Sequence, residues 1–449
     1  MVYSKDRLSV EVVDSNDPVA AVSIMSDLDS VAPIWLELER QGASTPYQSF
    51  AWYEAWMRVV APGRGETPLI IVAFDDKGEA TLLLPLVLRC RCFAHVASFA
   101  GGKHANFNMP LVRPDVTFTK AALDRLFLEL VRLRPDIDLF AFDALPASWN
   151  GADNPLVAAS ARPHTAPASV LSLMPDPRQL FDMTSTAGRK RKLRAIDRKF
   201  DQSGVTFRRA ASKGEIGQAL DAFSSHKVPW FLARGLPNPF EPCVLAFFAD
   251  LAMHPRSPLQ IHGLYSPDDA IVAVTATLVA NGRASLMFVS YDASSPLAAH
   301  SPGTKLVREV ILEACSRGLA SFDFGLGEAA YKTSFGATLE PSYVVLRSQT
   351  LRGELVAWGI EGKRRLKMSL KAHPRLLGTL LRWSKALPSL GGSDHSRLSA
   401  HGSEMPIPAK SCSRSCPREL AAARAGAPRS RRPPSHASAQ PGAPATSHR

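Results

Sequence analysis

The segment SFDFGLGEAAYKTSFGA, residues 321–337, combines two acids, a G-x-G pattern and a Tyr-Lys pair. Gly325 and Gly327 follow an apolar strand pattern, but they lack the third glycine of a G-x-G-x-x-G pattern, since position 330 is alanine, and no Gly-Lys-Ser or Gly-Lys-Thr sequence follows. Dinucleotide-binding and Walker loops need those additional residues to surround phosphate groups. The pattern therefore predicts a strand that ends in a turn, so any chemistry here depends on its acidic and hydroxyl side chains.

The candidate general bases are three carboxylates, in the order Asp323, Asp292 and Glu328. Asp323 stands within an otherwise apolar strand, where desolvation raises the pKa of a carboxyl group. The alternative for each acid is an ordinary carboxylate at a turn or a strand end. Tyr331 is a candidate proton donor to a leaving group, and Lys332 is a candidate contact for an anionic acceptor.

A second candidate site is the start of the helix predicted for SPGTKLVREVILEACSRGL, residues 301–319. Its first turn contains no acid and is formed by Ser301, which is the expected N-cap, Gly303, Thr304 and Lys305. Free backbone N–H groups, the positive end of the helix dipole and the lysine together predict an anion-binding site. Glycine allows a phosphate to approach the backbone closely. The alternative is an ordinary amphipathic helix with a neutral cap.

Two further features have both a binding and a structural interpretation. His226 and Trp230 precede the proline-rich loop RGLPNPFEP and are predicted to line an acceptor pocket, or else to anchor that loop. The segment TSTAGRKRKLRAIDRKF, residues 184–200, predicts a basic helix capped by Thr184, Ser185 or Thr186. That helix either packs with a solvated basic face or steers an anionic substrate or nucleic acid. No aromatic residue interleaves with its charges, which argues against single-strand binding.

The elements that position these residues follow one plan twice. A helix predicted at 49–60 precedes the apolar runs PLIIVAF and ATLLLPLVL, and a helix at 242–253 precedes LQIHGLY and AIVAVTATLVA. Two apolar runs separated by a short polar turn indicate a β-hairpin. The predicted organisation is an N-terminal extension (1–24), two α/β domains (25–183 and 184–350), a basic helical segment (351–390) and a tail (391–449).

Composition narrows the class of protein. Residues 391–449 contain nine Lys or Arg and three Asp or Glu, half of the formal net charge of +12, so the charge is weak evidence for nucleic-acid binding. This tail is poor in large apolar residues, which predicts disorder. The six cysteines form no C-x-x-C pair, which argues against a metal site and a disulfide framework. No apolar run approaches the roughly 20 residues of a membrane span, so we expect a cytoplasmic protein.

In combination, these residues resemble the GNAT acyltransferase superfamily, and more closely its CelD-like branch, named for bacterial cellulose biosynthesis. The resemblance covers roughly residues 25–350 and includes TPYQSFAWYEAW, RKRKLRAIDRKF and HKVPWFLARG. The branch pattern is matched by Ser301-Pro302-Gly303, Leu306, Ala314 to Gly318, Asp323 to Gly327, and Tyr331-Lys332.

The resemblance implies an α/β (α+β) fold of two tandem GNAT-like domains, shared with Fem-type peptidoglycan transferases. Each domain would be a mixed, mostly antiparallel sheet flanked by helices. It also implies acetyl-CoA or another acyl-CoA as co-substrate, with its pyrophosphate at residues 301–305 and without a metal. The reaction would be N- or O-acyl transfer to an amino sugar, a polysaccharide precursor or a similar small acceptor. The usual GNAT loop follows the pattern Q/R-x-x-G-x-G/A and has more glycines than this chain, which keeps only Gly303.

Two other functions stay open at this point. One is Fem-like transfer from aminoacyl-tRNA, which the basic helix favours. The other is a non-catalytic GNAT pair that binds a partner or a membrane surface through residues 361–385, where eight Lys or Arg and one acid accompany leucines at helical spacing.

Overall fold

The computed structural model describes residues 17–42, 44–164, 166–176, 179–181 and 186–372. The predictions for the 391–449 tail, for most of the N-terminal extension and for residues 373–385 lie outside these residues. So do the possible caps Thr184 and Ser185.

The α-helices in the described part of the chain are α1 (Leu28–Gln41), α2 (Phe50–Val59), α3 (Ala61–Arg64), α4 (Lys120–Leu133), α5 (Pro155–Ser160), α6 (Ala187–Gln202), α7 (Lys213–Leu232), α8 (Pro242–Met253), α9 (Pro302–Ser316), α10 (Ala330–Ser334) and α11 (Leu351–Ala372). The strands are β1 (Ala21–Met25), β2 (Thr67–Phe74), β3 (Ala80–Arg91), β4 (Ala94–Phe99), β5 (Leu111–Val112), β6 (Leu139–Pro146), β7 (Ser148–Trp149), β8 (Ala152–Asp153), β9 (Arg162–Pro163), β10 (Ala168–Ser172), β11 (Thr206–Ala210), β12 (Leu259–Tyr265), β13 (Ile271–Ala280), β14 (Arg283–Tyr291), β15 (Ser321–Leu326), β16 (Thr338–Glu340) and β17 (Ser342–Ser348).

These strands form two large sheets and one small hairpin, β7–β8. The first sheet has the order β1-β2-β3-β4-β6-β17-β9, with β5 paired to β3, and the second has the order β11-β12-β13-β14-β15-β10-β16. Within the sheets, only β4–β6 and β14–β15 are parallel pairs among the described strands. Helices flank both sheets, so the predicted fold of two tandem α/β units with mixed, mostly antiparallel sheets is confirmed.

The repeated plan appears in corresponding elements of the two sheets. A hairpin (β2–β3 or β12–β13) continues into a third antiparallel strand, and a helix (α4 or α9) then leads to the parallel neighbour. The helices expected before each hairpin, α2 and α8, pack against each other, because Phe247 lies edge-on to Trp52 and Trp56 with ring centroids 4.8 and 5.3 Å apart. A shared aromatic core therefore joins the two units.

Two strands cross from one half of the chain to the other sheet. β10, which precedes the second unit, lies between β15 and β16, and β17, which follows that unit, lies beside β6 in the first sheet. The domain limits at 183 and 350 remain predictions from the sequence. Neither limit separates the two sheets, because β10 lies before residue 183 but belongs to the second sheet, and β17 lies before residue 350 but belongs to the first.

The basic helix α6 has the packing face that its sequence predicts. Thr186 caps it by accepting a hydrogen bond from the backbone N–H of Arg189. Leu193, Ile196 and Phe200 are buried, while most of the cationic side chains face solvent. A short apolar stripe is therefore enough to hold this helix against the second unit.

Candidate active site

The second sheet opens between its two parallel strands. β14 pairs with β15 only where Arg283–Ser285 faces Ser321–Asp323, and β14 then continues to Tyr291 without a described strand on that side. Beyond the last pair, backbone N–H groups on this edge of β14 face the gap instead of a neighbouring strand. Such an edge can hydrogen-bond a carbonyl group of a ligand.

A groove of about 490 Å³ occupies this gap, and we call it the donor groove. Its walls come from the end of α7, the end of β14, the start of α9 and the helix α10. It is lined by His226, Lys227, Pro229, Trp230, Val289, Ser290, Tyr291, Ala293, Ala298, Ser301, Gly303, Thr304, Val307, Tyr331 and Phe335. The structure thus brings together six residues predicted from the sequence for separate roles: Ser301, Gly303, Thr304, His226, Trp230 and Tyr331.

The start of α9 lacks the side-chain cap expected from its sequence. Ser301 occupies the N-cap position in a left-handed conformation (φ 58°), and its hydroxyl accepts no backbone hydrogen bond. An N-cap normally has extended dihedral angles that aim its oxygen at the helix N–H groups, which explains the difference. By contrast Thr119, at the start of the corresponding helix α4, accepts a hydrogen bond from Ala122. The second unit therefore offers an uncapped helix start.

Gly303 forms part of the groove wall at that helix start. A Cβ atom built there would lie 3.6 Å from both Tyr291 and Val289, which is ordinary van der Waals contact. The fold itself thus tolerates a small side chain at this position, but a larger one would extend into the groove. With no acid in the first turn of α9, the surroundings suit an anionic group.

Lys305 does not line the groove, and the cation that does is Lys227. The Lys305 ammonium lies 2.9 Å from Asp197 and 2.6 Å from Glu309. Burial favours loss of its proton, but these hydrogen bonds outweigh burial and hold the pKa of Lys305 above its usual value. Burial, helped by the charge of Arg234, lowers the pKa of Lys227. Lys227 was not predicted from the sequence as a site residue, although it directly follows His226 in the chain.

His226 and Ser290 face each other in the groove. The imidazole Nδ1 lies 3.4 Å from the Ser290 hydroxyl oxygen. Burial lowers the pKa of His226, with the charge of Asp292 opposing that effect. The imidazole is therefore neutral at neutral pH and can accept a proton. The Ser290 hydroxyl was not predicted from the sequence as part of the site; Ser290 lies near the end of β14, on the part of the strand that extends beyond its pairing with β15.

Asp323 is fully buried within β15 and does not line the groove. Its Oδ1 accepts a hydrogen bond of 2.6 Å from the Gly325 N–H, while Oδ2 has no partner in the described structure. Burial raises the pKa of Asp323 to about 6, against the opposing charge of Arg283. The desolvation expected from the sequence is thus present, but the carboxylate is removed from the groove.

The other two carboxylates also lie outside the groove lining. Asp292 accepts hydrogen bonds from the hydroxyl and the N–H of Ser294 at 2.6 and 2.8 Å, and these bonds lower its pKa. It therefore organises the turn after β14. Glu328 is exposed in the segment between β15 and α10.

Tyr331 and Lys332 point to different environments despite being neighbours. Tyr331 lines the groove with 43% of its surface exposed, and its partial burial together with the charge of Asp323 raises its pKa. The buried Lys332 ammonium donates to the carbonyl oxygens of Gly325, Leu326 and Gly327 at 3.0, 3.1 and 2.8 Å. Because all three of its donors are used, this geometry favours a structural role for Lys332 in the turn after β15.

The first unit supports the same turn. The Asn106 amide donates to the Tyr47 hydroxyl oxygen at 3.0 Å, and a Cβ atom at Gly325 would approach that amide nitrogen to 3.0 Å. Gly325 also has φ 77°, a conformation that favours glycine. The predicted strand exit thus depends on contacts from both halves of the chain.

Residues 187–333, which include nearly the whole lining of the donor groove, match the family model described as acetyltransferase (GNAT) domain. This segment is therefore similar to GNAT acetyltransferase domains. It contains the splayed strand pair and the uncapped helix start, and the first sheet repeats its plan in tandem.

Several solved structures resemble the tandem chain. FemX is 10% identical, with 72% of this chain and 96% of that chain covered and a TM-score of 0.52. L-PGS from Bacillus licheniformis is 13% identical (74% and 95% covered, TM-score 0.45). A tandem GNAT protein from the clavulanic acid biosynthesis pathway is 12% identical (73% and 98% covered, TM-score 0.41). At these identities the likeness concerns the fold alone. No curated protein matches the sequence.

Metal ligands and membrane spans can be assessed for the described residues. These residues contain no group of three or more His, Cys, Asp or Glu arranged to hold a metal ion. None of the helices in this part of the chain combines the length and apolar character of a membrane-spanning helix.

Proposed function

We propose that the protein transfers an acyl group from acyl-CoA, with acetyl-CoA as the first choice, to an amine or hydroxyl group. The acceptor would be an amino sugar, a polysaccharide precursor or a similar small molecule, as the CelD-like resemblance implies. One observation carries the proposal: the uncapped start of α9 and the unpaired edge of β14 border a single groove within the GNAT-like segment.

The groove residues fit such a donor. Its diphosphate would lie at Gly303 and Thr304, where the helix dipole is positive and Gly303 carries no side chain of its own. Lys227 would add the positive charge that Lys305, paired with two carboxylates, does not supply. The apolar walls at Val289 and Val307 suit the uncharged part of the donor.

CoA supplies the acyl group as an activated thioester, and the chain's own residues would do the rest. Backbone N–H groups of β14 near Ser290 would polarise the carbonyl. The neutral imidazole of His226 would accept the acceptor's proton, and Tyr331 would protonate the departing thiolate. We prefer His226 to the three carboxylates because they lie outside the groove. Turnover of His226→Gln, compared with Asp323→Asn once an acceptor is known, tests this choice.

The donor proposal is tested first by thermal unfolding of the full chain with and without acetyl-CoA. Ligand at 100 times its Kd stabilises a protein by about 2.7 kcal/mol, which gives a measurable rise in Tm. We expect that rise in the wild type and its loss in Gly303→Glu, because the new carboxylate enters the groove and repels phosphate.

Gly214→Glu is the matched control. Gly214 has the same position in the first turn of α7 and does not line the donor groove, and a Cβ atom built there would have no neighbour within 4 Å. This variant should keep the full rise in Tm. A wild type that responds to neither acetyl-CoA nor longer acyl-CoAs would refute the proposal. Specific tRNA binding would then favour the Fem-like alternative.

One observation favours a second, additional role for α11, contact with an anionic membrane surface. Its outward face exposes Leu351 (84%), Leu355 (62%) and Trp358 (71%), which follow one another at helical spacing. The exposed cations Arg352, Lys363 and Arg365 flank this apolar stripe. The charge complements anionic lipid, whereas a second copy of the same basic helix would be repelled.

A further inference from the structure

A second pocket lies beside the donor groove and shares Ser301 with it. It has a volume of about 400 Å³ and is formed by α6 and the turn that precedes α9. We call it the basic pocket; its lining is Lys192, Ala195, Ile196, Arg198, Lys199, Gln202, Ala299, His300 and Ser301. The left-handed residue at the start of α9 thus separates two adjoining cavities.

The basic pocket carries positive charge that the described structure does not neutralise. Lys192, Arg198 and Lys199 line it, and none of them forms an ion pair with a described residue. No acid lines the pocket. Cations held together without carboxylates create a local positive potential that attracts an anion.

Neither of the two acids of α6, Asp197 and Asp201, lines the pocket, and Asp197 is directed elsewhere. Asp197 accepts hydrogen bonds from Lys305 at 2.9 Å and from Arg308 at 2.9 and 3.1 Å. These bonds fasten α6 to α9 and use the carboxylate that would otherwise neutralise its neighbours. The same contacts therefore position the basic face and leave its charge available.

The remaining lining restricts the kind of anion. Ala195 and Ala299 add apolar surface next to the cations. Apolar surface beside phosphate-binding cations suits a phosphorylated nucleoside better than a small inorganic anion, because the base buries apolar area while the phosphate meets the charges.

We infer that the basic pocket binds the phosphomonoester at the adenosine end of a CoA donor. The inference rests on the proposed function: a donor whose diphosphate lies at Gly303 continues past Ser301 into this pocket. It assigns a binding role to the basic face of α6 and makes the protein selective for CoA over dephospho-CoA, which lacks this phosphate.

Calorimetric titration of the full chain with CoA and with dephospho-CoA tests the inference. We expect the wild type to prefer CoA by roughly tenfold at low salt, as for a charge-assisted contact at a partly exposed site, and the preference to shrink as salt increases. Lys192→Ala and Lys199→Ala should each reduce the preference several-fold without changing the affinity for dephospho-CoA. Neither side chain belongs to the buried face of α6, so folding should be unaffected, as the Tm without ligand will report.

Arg194→Ala is the control, since it removes one exposed charge from the same helix outside the pocket lining. It should retain the preference for CoA. Equal affinity of the wild type for the two ligands would overturn the inference and leave the proposed function intact. No binding of either ligand would overturn both. If the lysine variants weaken tRNA binding but keep the preference for CoA, the pocket serves nucleic acid and the inference is wrong.

Discussion

Asp323 shows how a single residue can match a chemical expectation and still lack access to the groove. Its carboxyl is fully buried, one oxygen has no described partner, and burial raises its pKa to about 6. Desolvation of this kind often marks a catalytic acid or base. Here, however, the Asp323 carboxyl is surrounded by the β15 backbone and by residues of the interface between the two units. We therefore expect its raised pKa to affect the stability of the fold.

Replacing this carboxyl should therefore change how stability depends on pH. An aspartate with a pKa of 3.8 when unfolded and about 6 when folded binds more protons in the folded state between those values. Its contribution to stability thus falls as pH rises from about 4 to about 6. We expect Asp323→Asn, which keeps an acceptor for the Gly325 N–H, to gain up to about 3 kcal/mol over the wild type across that window.

Urea unfolding of both proteins at pH 4.5, 6 and 8 measures this difference. Asp292→Asn is the control with the opposite sign, because hydrogen bonds lower the pKa of Asp292. Its carboxylate contributes stability above its unfolded pKa, and this contribution is lost as pH falls through its folded value. A pH-independent difference between Asp323→Asn and wild type would show that the carboxyl does not titrate as described.

Among the elements, α11 has two faces with different surroundings. Gly353 faces the core so closely that a Cβ atom there would lie 1.9 Å from the Asp138 carbonyl oxygen, and Ala357 is buried against β4 and β6. The opposite face carries the exposed stripe of Leu351, Leu355 and Trp358. A helix that is apolar on its solvent side as well needs a second surface to cover it.

We expect the full chain to bind vesicles that contain an anionic phospholipid, and Leu355→Ser/Trp358→Ser to weaken that binding at least tenfold. Leu355 and Trp358 supply much of the exposed apolar area of this helix, so their removal should weaken insertion. Co-sedimentation measures the bound fraction. Leu128→Ser/Leu133→Ser removes comparably exposed leucines from α4 (52% and 50%) and should bind like wild type. Equal binding of both double variants would contradict membrane contact by this helix. So would a molecular mass of the protein in solution that doubles with concentration, because a second copy would then cover the stripe.

At the scale of the whole molecule, the exchange of β10 and β17 makes each sheet depend on a segment from beyond its own unit. Val345 of β17 is buried in the core of the first sheet, with Phe142 and Leu145 of β6. Its sequence neighbours in β15 and β16 belong to the other sheet. A destabilising substitution in β17 should therefore weaken the first sheet, although most strands of that sheet come from the N-terminal half of the chain.

Val345→Asp places an unpaired charge in that core and should destabilise the protein by several kcal/mol, on the order of 3–5. Hydrogen exchange should show lost protection first in β6 and retained protection in β12 to β14. Val272→Asp, at an equally buried position of the second sheet (4% exposed in both cases), should give the reverse pattern. Simultaneous loss in both sheets for both variants would show that the two sheets unfold as one unit.

The local sequence is sufficient to predict several elements and their faces. Helix α8 has the limits 242–253 that its sequence predicts, and three apolar residues correctly predict the buried face of α6. These features depend on periodicity, caps and turn residues, which act over a few positions. The duplicated plan and the acid-free first turn of α9 are predictable for the same reason, because their signals are contiguous in the chain.

Only the tertiary structure decided which of these side chains share the groove. Lys305 and Asp323 have suitable types and positions, yet one is held by Asp197, more than a hundred residues away, and the other is enclosed in the sheet. His226, Lys227 and Ser290 line the same groove as Gly303, and this groove exists because β14 and β15 separate after Ser285. The amino-acid sequence by itself determined the elements, since propensity and capping are local. Burial, ion pairing and strand exchange join distant residues, and so the folded chain alone determined where its charges and its groove lie.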